Sequence, residues 1–109
     1  MLGEMRILRK ISKPTVTPVA TTPYAVLPSD MNIYVDATGA TSIVTLPAAT
    51  GSGRLINIKK IDSTANQVVV TANVTGTPDT IDGDPTYPLV YQWGAITVQD
   101  AAVNKWYVL

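Results

Sequence analysis

Three carboxylates are the residues whose type and spacing first suggest chemistry: Asp79, Asp82 and Asp84, which surround Gly83. Hard cations such as Ca²⁺ bind several carboxylate oxygens, so this segment is a candidate calcium loop. Its spacing differs from that of an EF-hand, because only Asp82 and Asp84 alternate and no glutamate closes the loop. We therefore predict a turn in which Gly83 takes a positive φ and the aspartates accept hydrogen bonds from local backbone donors, with no bound metal.

Aromatic side chains could form a binding surface near the end of the chain. Tyr87, Tyr91 and Trp93 could stack on the apolar faces of sugar rings, as carbohydrate-binding modules do. Trp93, however, precedes Gly94 at a tight connection, and Trp106 lies in a terminal strand. These positions favour packing in a core or a subunit interface, and glycan stacking by Tyr87, Tyr91 and Trp93 is the alternative hypothesis.

The composition excludes several functional classes. The 109 residues contain no His and no Cys, which removes Ser-His-Asp and Cys-His nucleophiles, Cys/His zinc sites and disulfides. The formal charge of zero argues against a nucleic-acid-binding domain. No apolar stretch approaches the roughly 20 residues that cross a bilayer, and the first ten residues lack the pattern of a signal peptide. The sequence thus predicts a single domain that is not an enzyme, carries no cofactor and binds neither nucleic acid nor membrane.

The first segment of the chain differs from the rest in charge. Four of the eight basic residues lie within the first thirteen positions, opposed only by Glu4, so this segment carries +3 and the remainder −3. Two interpretations are open, a frayed terminus or an arm that docks on a partner through apolar and basic side chains. The candidate docking residues are Met5, Arg6, Ile7, Leu8, Arg9, Lys10, Ile11 and Lys13.

A spacer follows this segment. Residues 14–28 contain a proline about every five positions, which removes backbone donors and favours extended conformations. We therefore divide the chain into a docking arm with its spacer, residues 1–28, and a β domain, residues 29–109.

From residue 30 onward, apolar and polar residues alternate with a period of two, which is typical of β-strands. The pattern predicts an all-β fold, a small antiparallel sandwich or barrel, with segments 31–36 and 42–46 forming a hairpin. No internal repeat is visible, so a β-helix is the less favoured alternative. Lys59 and Lys60, next to Asp62, are interpreted as a solvated strand end. The side chains predicted to point inward are Ile33, Val35, Ile43, Ile56, Ile58, Val68, Val70, Ile96 and Val98.

Residues 33–109 resemble a small β domain of tailed-bacteriophage virion proteins. The resemblance rests on a strand that ends in Leu-Pro-Ala-Ala (46–49), a Gly-x-Gly turn (51–53) before Ile-Lys-Lys-Ile (58–61), a Thr-Ile-Asp-Gly turn (80–83) and the closing Asn-Lys-Trp-Tyr-Val-Leu (104–109). Such domains occur in tail fibres and head fibres, and similar small proteins decorate capsids.

The resemblance implies a structural virion protein, commonly a homotrimer, made in the host cytoplasm and located on the surface of the particle. Because the chain lacks a coiled-coil or collagen-like stalk, a capsid decoration or head-fibre protein is favoured over the tip of a tail fibre. The implied partner is the major capsid protein or another virion protein, contacted through the N-terminal arm. The alternative is a host-glycan-binding module of a phage fibre.

Overall fold

The computed structural model describes residues 16–20 and 22–109, and these form ten β-strands. The strands are β1 (Val16–Val19), β2 (Tyr24–Ala25), β3 (Asn32–Val35), β4 (Ser42–Thr45), β5 (Leu55–Lys60), β6 (Val68–Thr71), β7 (Thr80–Ile81), β8 (Thr86–Leu89), β9 (Ala95–Ala102) and β10 (Lys105–Val108). β-Branched residues supply much of these strands, which is expected because they pack well on a pleated surface.

The strands form two sheets that enclose one hydrophobic core. Sheet A has the order β1-β3-β5-β9-β10-β7, and sheet B has the order β2-β4-β6-β8. The predicted all-β sandwich is confirmed. Both sheets are mixed, however, rather than antiparallel throughout, since β1, β3 and β5 run parallel in sheet A and β2, β4 and β6 run parallel in sheet B.

The first six strands alternate between the two sheets. Each strand pairs with the strand two elements away, so β3 pairs with β5 and β4 with β6. The predicted hairpin of 31–36 with 42–46 is therefore wrong, because the chain crosses from sheet A to sheet B between these segments. Each crossing places the apolar faces of the two sheets opposite each other across the core. Successive crossings stack on one another, as the coils of a solenoid do.

The core contains all but one of the residues predicted to point inward. Ile33, Val35, Ile56, Ile58, Val68, Val70, Ile96 and Val98 are buried. The prediction for Ile43 is wrong: its side chain is 40% exposed, and Val44 is buried in its place. Val44 lies beside Val70 on the inner face of sheet B, and successive strand residues face opposite sides.

The described part of the proline-rich spacer belongs to the sandwich. Residues 16–19 form one edge strand of sheet A and residues 24–25 one edge strand of sheet B, and Val19 and Val26 are buried in the core. Residues 16–19 and 24–25 are extended, as the prolines predict, whereas residues 22–23 form a bend. Within the described residues, the sandwich therefore begins at Val16, earlier than the boundary placed at residue 29.

The described part of the chain holds no helix with the length and apolar character that a membrane crossing requires.

Candidate functional site

The Asp79–Asp84 segment contains the predicted turn, at residues 81–84 after strand β7. Ile81 and Asp84 exchange backbone hydrogen bonds of 2.6 and 3.0 Å, and Gly83 has a φ of 87°. The prediction of local donors is wrong, however, because the carboxylate of Asp82 accepts a hydrogen bond from the distant backbone N–H of Val108 at 3.0 Å. Among residues 16–20 and 22–109, no group of three or more acidic side chains is placed to hold a metal ion.

Four buried aspartates hold loops in place. They are Asp30, Asp62, Asp79 and Asp100. Asp79, for example, accepts hydrogen bonds from the backbone of Ala49 at 2.8 Å and from the Asn104 side chain at 2.7 Å, which ties two distant loops together. Each carboxylate replaces the water it loses on burial with protein donors, as a buried charge requires.

Asp100 shows how completely one carboxylate can be satisfied. It accepts hydrogen bonds from the backbone N–H groups of Thr50 at 2.9 Å and Gly51 at 2.7 Å, and from the Ser52 hydroxyl at 2.7 Å. Burial alone would raise its pKa, but these donors outweigh burial and lower the pKa. The Gly-x-Gly loop at 51–53 is thereby fixed to strand β9.

Asp30 fixes the entry of the chain into the sandwich. Its carboxylate accepts hydrogen bonds of 2.6 Å from the hydroxyls of Thr17 and Tyr24, and one of 2.8 Å from the backbone of Leu27. Burial opposes ionisation, but the hydroxyl donors prevail and the pKa of Asp30 is lowered. Burial and the hydrogen bond to Asp30 raise the pKa of Tyr24 to about 12.

Lys60 is an interior residue, and its interpretation as part of a solvated strand end is wrong. Its side chain is fully buried and forms an ion pair with Asp62, whose carboxylate also accepts hydrogen bonds from Ala37 and Thr64. Burial would raise the pKa of Asp62, but the donors, led by Lys60, hold it well below its usual range. The period-two rule could have found this pair, because Lys60 has the same parity as the buried Ile56 and Ile58.

Of the three aromatic residues proposed to stack on glycans, one lies in a strand and two lie in the connection that follows it. Tyr87 lies in β8 of sheet B and packs partly buried against the core. Tyr91 and Trp93 lie in the connection between β8 and β9, where their side chains are 80% and 60% exposed. Trp106, in contrast, is fully buried, as core packing predicts, and donates its indole N–H to the carbonyl of Pro47 at 3.2 Å.

Trp93 contributes instead to a cleft on the outer face of sheet A. The cleft has a volume of about 420 Å³ and is lined by Tyr34, Lys59, Ile61 and Trp93, a set that we call the aromatic cleft. Tyr34 and Lys59 are direct neighbours on the parallel strands β3 and β5. The Lys59 ammonium lies 5.6 Å from the centroid of the indole ring, within the range of a cation–π contact.

A short turn holds Trp93 at the cleft. Its backbone N–H donates to the carbonyl of Lys60 at 2.8 Å, and the N–H of Gly94 donates to the carbonyl of Tyr91 at 3.0 Å. Gly94 fits because a Cβ atom there would lie only 2.9 Å from the Tyr91 carbonyl oxygen. Trp93 itself has a φ of 69°, a conformation that costs an L-residue about 1 to 2 kcal/mol.

Sequence reasoning identified Trp93 but missed Tyr34 and Lys59. The alternation in residues 31–36 placed Tyr34 on the outer face, but the strand that lies beside β3 was not predictable from it. The candidate docking residues, Met5 to Lys13, lie outside the described residues.

Comparison with protein-family models and with curated proteins finds no match for this chain.

Proposed function

We propose that the protein is a structural virion protein of a tailed bacteriophage, a capsid decoration or head-fibre protein attached by its N-terminal arm. The proposal starts from the motifs in residues 33–109 that resemble phage virion domains. One structural observation supports it: the buried aspartates hold loops in place through hydrogen bonds. A rigid domain of this kind suits a structural component of a particle.

The way the chain enters the sandwich supports attachment through the arm. Strand β1 lies at the edge of sheet A, so residues 1–15 precede an edge strand rather than an interior one. The charge of +3 in residues 1–13 contrasts with −3 in the remainder. An apolar and basic segment joined to an acidic domain suits a groove on a partner such as the major capsid protein.

In this proposal, the protein is made in the host cytoplasm and forms a homotrimer on the surface of the particle. Open sheet edges support association, because β1 and β2 are edge strands at one end of the sandwich. Symmetric contact between copies would cover part of these edges. Sedimentation of the full chain tests the trimer directly.

Particle binding by arm variants tests the proposal. A protein lacking residues 1–13 should keep its far-ultraviolet spectrum and lose binding to undecorated particles. Replacing Arg6, Arg9, Lys10 and Lys13 by Gln should weaken binding mainly at low salt, because exposed charges chiefly accelerate encounter. Replacing Met5, Ile7, Leu8 and Ile11 by Ser should weaken binding at every salt concentration. Full occupancy by the deleted protein would refute attachment through the arm.

A further inference from the structure

Two unusual features meet at the aromatic cleft. A tryptophan side chain is left 60% exposed, and its backbone adopts the left-handed conformation that bulky residues seldom occupy. Such backbone conformations persist where the surroundings impose them, and they cluster at binding sites. Here the surroundings are two backbone hydrogen bonds with Lys60, one donated by Trp93 and one accepted by Gly94, which fix the turn beside sheet A.

We propose that the aromatic cleft binds a glycan through a sugar unit that carries a carboxylate. The indole of Trp93 and the ring of Tyr34 receive the apolar C–H face of the sugar, and the Lys59 ammonium pairs with its carboxylate. This inference concerns a site separate from the arm and goes beyond the function proposed above, since it holds wherever the protein is located.

The size and lining of the cleft suit a sugar. Its volume of about 420 Å³ lies at the lower end of the range for small-molecule sites, roughly 300 to 1,000 Å³, and so fits a ligand of one or two rings. Two aromatic rings and one aliphatic side chain offer flat apolar surface, while the phenol and the ammonium offer polar groups. Pyranose rings present the matching combination of an apolar face and a polar rim.

The charge of the cleft favours one carboxylate at the site. Lys59 forms no ion pair with any described carboxylate, and its ammonium lies over the exposed indole. The other three described cations do not line the cleft: Lys60 is buried with Asp62, Arg54 donates to the carbonyls of Leu27 and Asp30, and Lys105 lies exposed on β10. A polyanion such as a nucleic acid requires several cations along its path. One ammonium beside aromatic rings matches one carboxylate.

Binding is tested with the full chain and matched pairs of oligosaccharides. The acidic probes are trigalacturonate, a hyaluronan tetrasaccharide and sialyllactose, and the neutral counterparts are galactotriose, a chitin tetrasaccharide and lactose. The exposed Trp93 and the buried Trp106 emit at different wavelengths, so binding at the cleft should change only the long-wavelength component of the fluorescence. We expect at least one acidic probe to bind, and its neutral counterpart to bind several-fold more weakly.

Three variants assign the binding to the cleft. Lys59→Gln should weaken binding of the acidic probe up to about fivefold, the range of an exposed charge pair, and abolish its preference over the neutral counterpart. Lys105→Gln is the matched control, because it removes the same charge from an exposed residue of sheet A. Trp93→Asn should weaken binding at least about tenfold, measured by calorimetry, and asparagine tolerates the positive φ.

Several outcomes would overturn the proposal. They are an absence of binding by all probes, equal binding of acidic and neutral partners, and equal losses in Lys59→Gln and Lys105→Gln. Sedimentation supplies a further one. If Trp93→Asn converted an oligomer into a monomer, the cleft would be a contact between copies of the chain rather than a glycan site. Unchanged emission from Trp106 in every variant verifies the fold.

Discussion

The ammonium of Lys60 lies 2.5 Å from the carboxylate of Asp62 inside the sandwich, where both side chains are almost completely excluded from solvent. The two partners differ in what else holds them. Asp62 accepts further hydrogen bonds from Ala37 and Thr64. Among the described residues, the ammonium of Lys60 has only Asp62 as a partner. Removing Asp62 and removing Lys60 should therefore lower the free energy of unfolding by different amounts.

Asp62→Ala should lower the free energy of unfolding by about 3 to 5 kcal/mol, because it leaves an unpaired ammonium in the interior. Lys60→Met should cost less, about 1 to 3 kcal/mol, since the donors from Ala37 and Thr64 still satisfy the carboxylate. Urea denaturation at pH 7 measures both values. Equal costs would show that the remaining donors do not compensate for the lost lysine.

Acid should destabilise the protein through its buried aspartates. The pKa values of Asp30, Asp62 and Asp100 are lowered from 3.8, so below that pH the unfolded chain binds more protons than the native one. Stability should be nearly constant from pH 7 to about 5 and fall progressively below about pH 4. Urea midpoints at several pH values measure this curve. Asp100→Asn should be less stable at pH 7, and its stability should fall less steeply below pH 4. An unchanged slope below pH 4 would show that Asp100 does not contribute to the acid sensitivity.

Two isoleucines on sequential strands should respond differently to truncation. Ile58 is fully buried, so Ile58→Ala should cost about 2 to 5 kcal/mol of unfolding free energy. Ile43 is 40% exposed, so Ile43→Ala should change it by only about 0.5 kcal/mol. Chemical denaturation of both variants compares them directly. A large loss in Ile43→Ala would place that side chain in a subunit interface.

Gly94→Ala should disturb the turn that carries Trp93. The new methyl group would lie 2.9 Å from the carbonyl oxygen of Tyr91, and relieving this overlap should cost about 1 to 3 kcal/mol. The emission of Trp93 should shift as the turn moves. Gly39→Ala is the control, because no atom lies within 4 Å of a Cβ atom there. Identical emission in the wild type and Gly94→Ala would show that the turn tolerates the methyl group.

The alternation of residues predicted which faces are buried, but it could not predict which strands are neighbours. Ile33 and Ile58 were both expected to point inward, and they are adjacent in sheet A across a parallel pair that no local pattern specifies. Ile43 failed for a different reason. Two consecutive apolar residues, Ile43 and Val44, fit either face, and only the partner strand β6 decides between them.

The aromatic cleft was partly predictable for the same reason. Trp93 stood out because of its type and the glycine that follows it, whereas Tyr34 and Lys59 become neighbours only through the pairing of β3 with β5. Tyr87 was grouped with Trp93 because the two are close in sequence. The strand β8 belongs to sheet B, however, and directs Tyr87 towards the core.

The position of β9 in sheet A has a consequence for synthesis on the ribosome. β9 joins the parallel strands β1, β3 and β5 to the pair β10 and β7, yet it is translated after eight other strands. Until residues 95–102 leave the exit tunnel, β5 presents an unpaired edge to other nascent chains, a known hazard for aggregation. Sheet B can be completed once β8 has emerged, whereas in sheet A the edge of β5 stays open until β9 emerges and β7 stays unpaired until β10 follows.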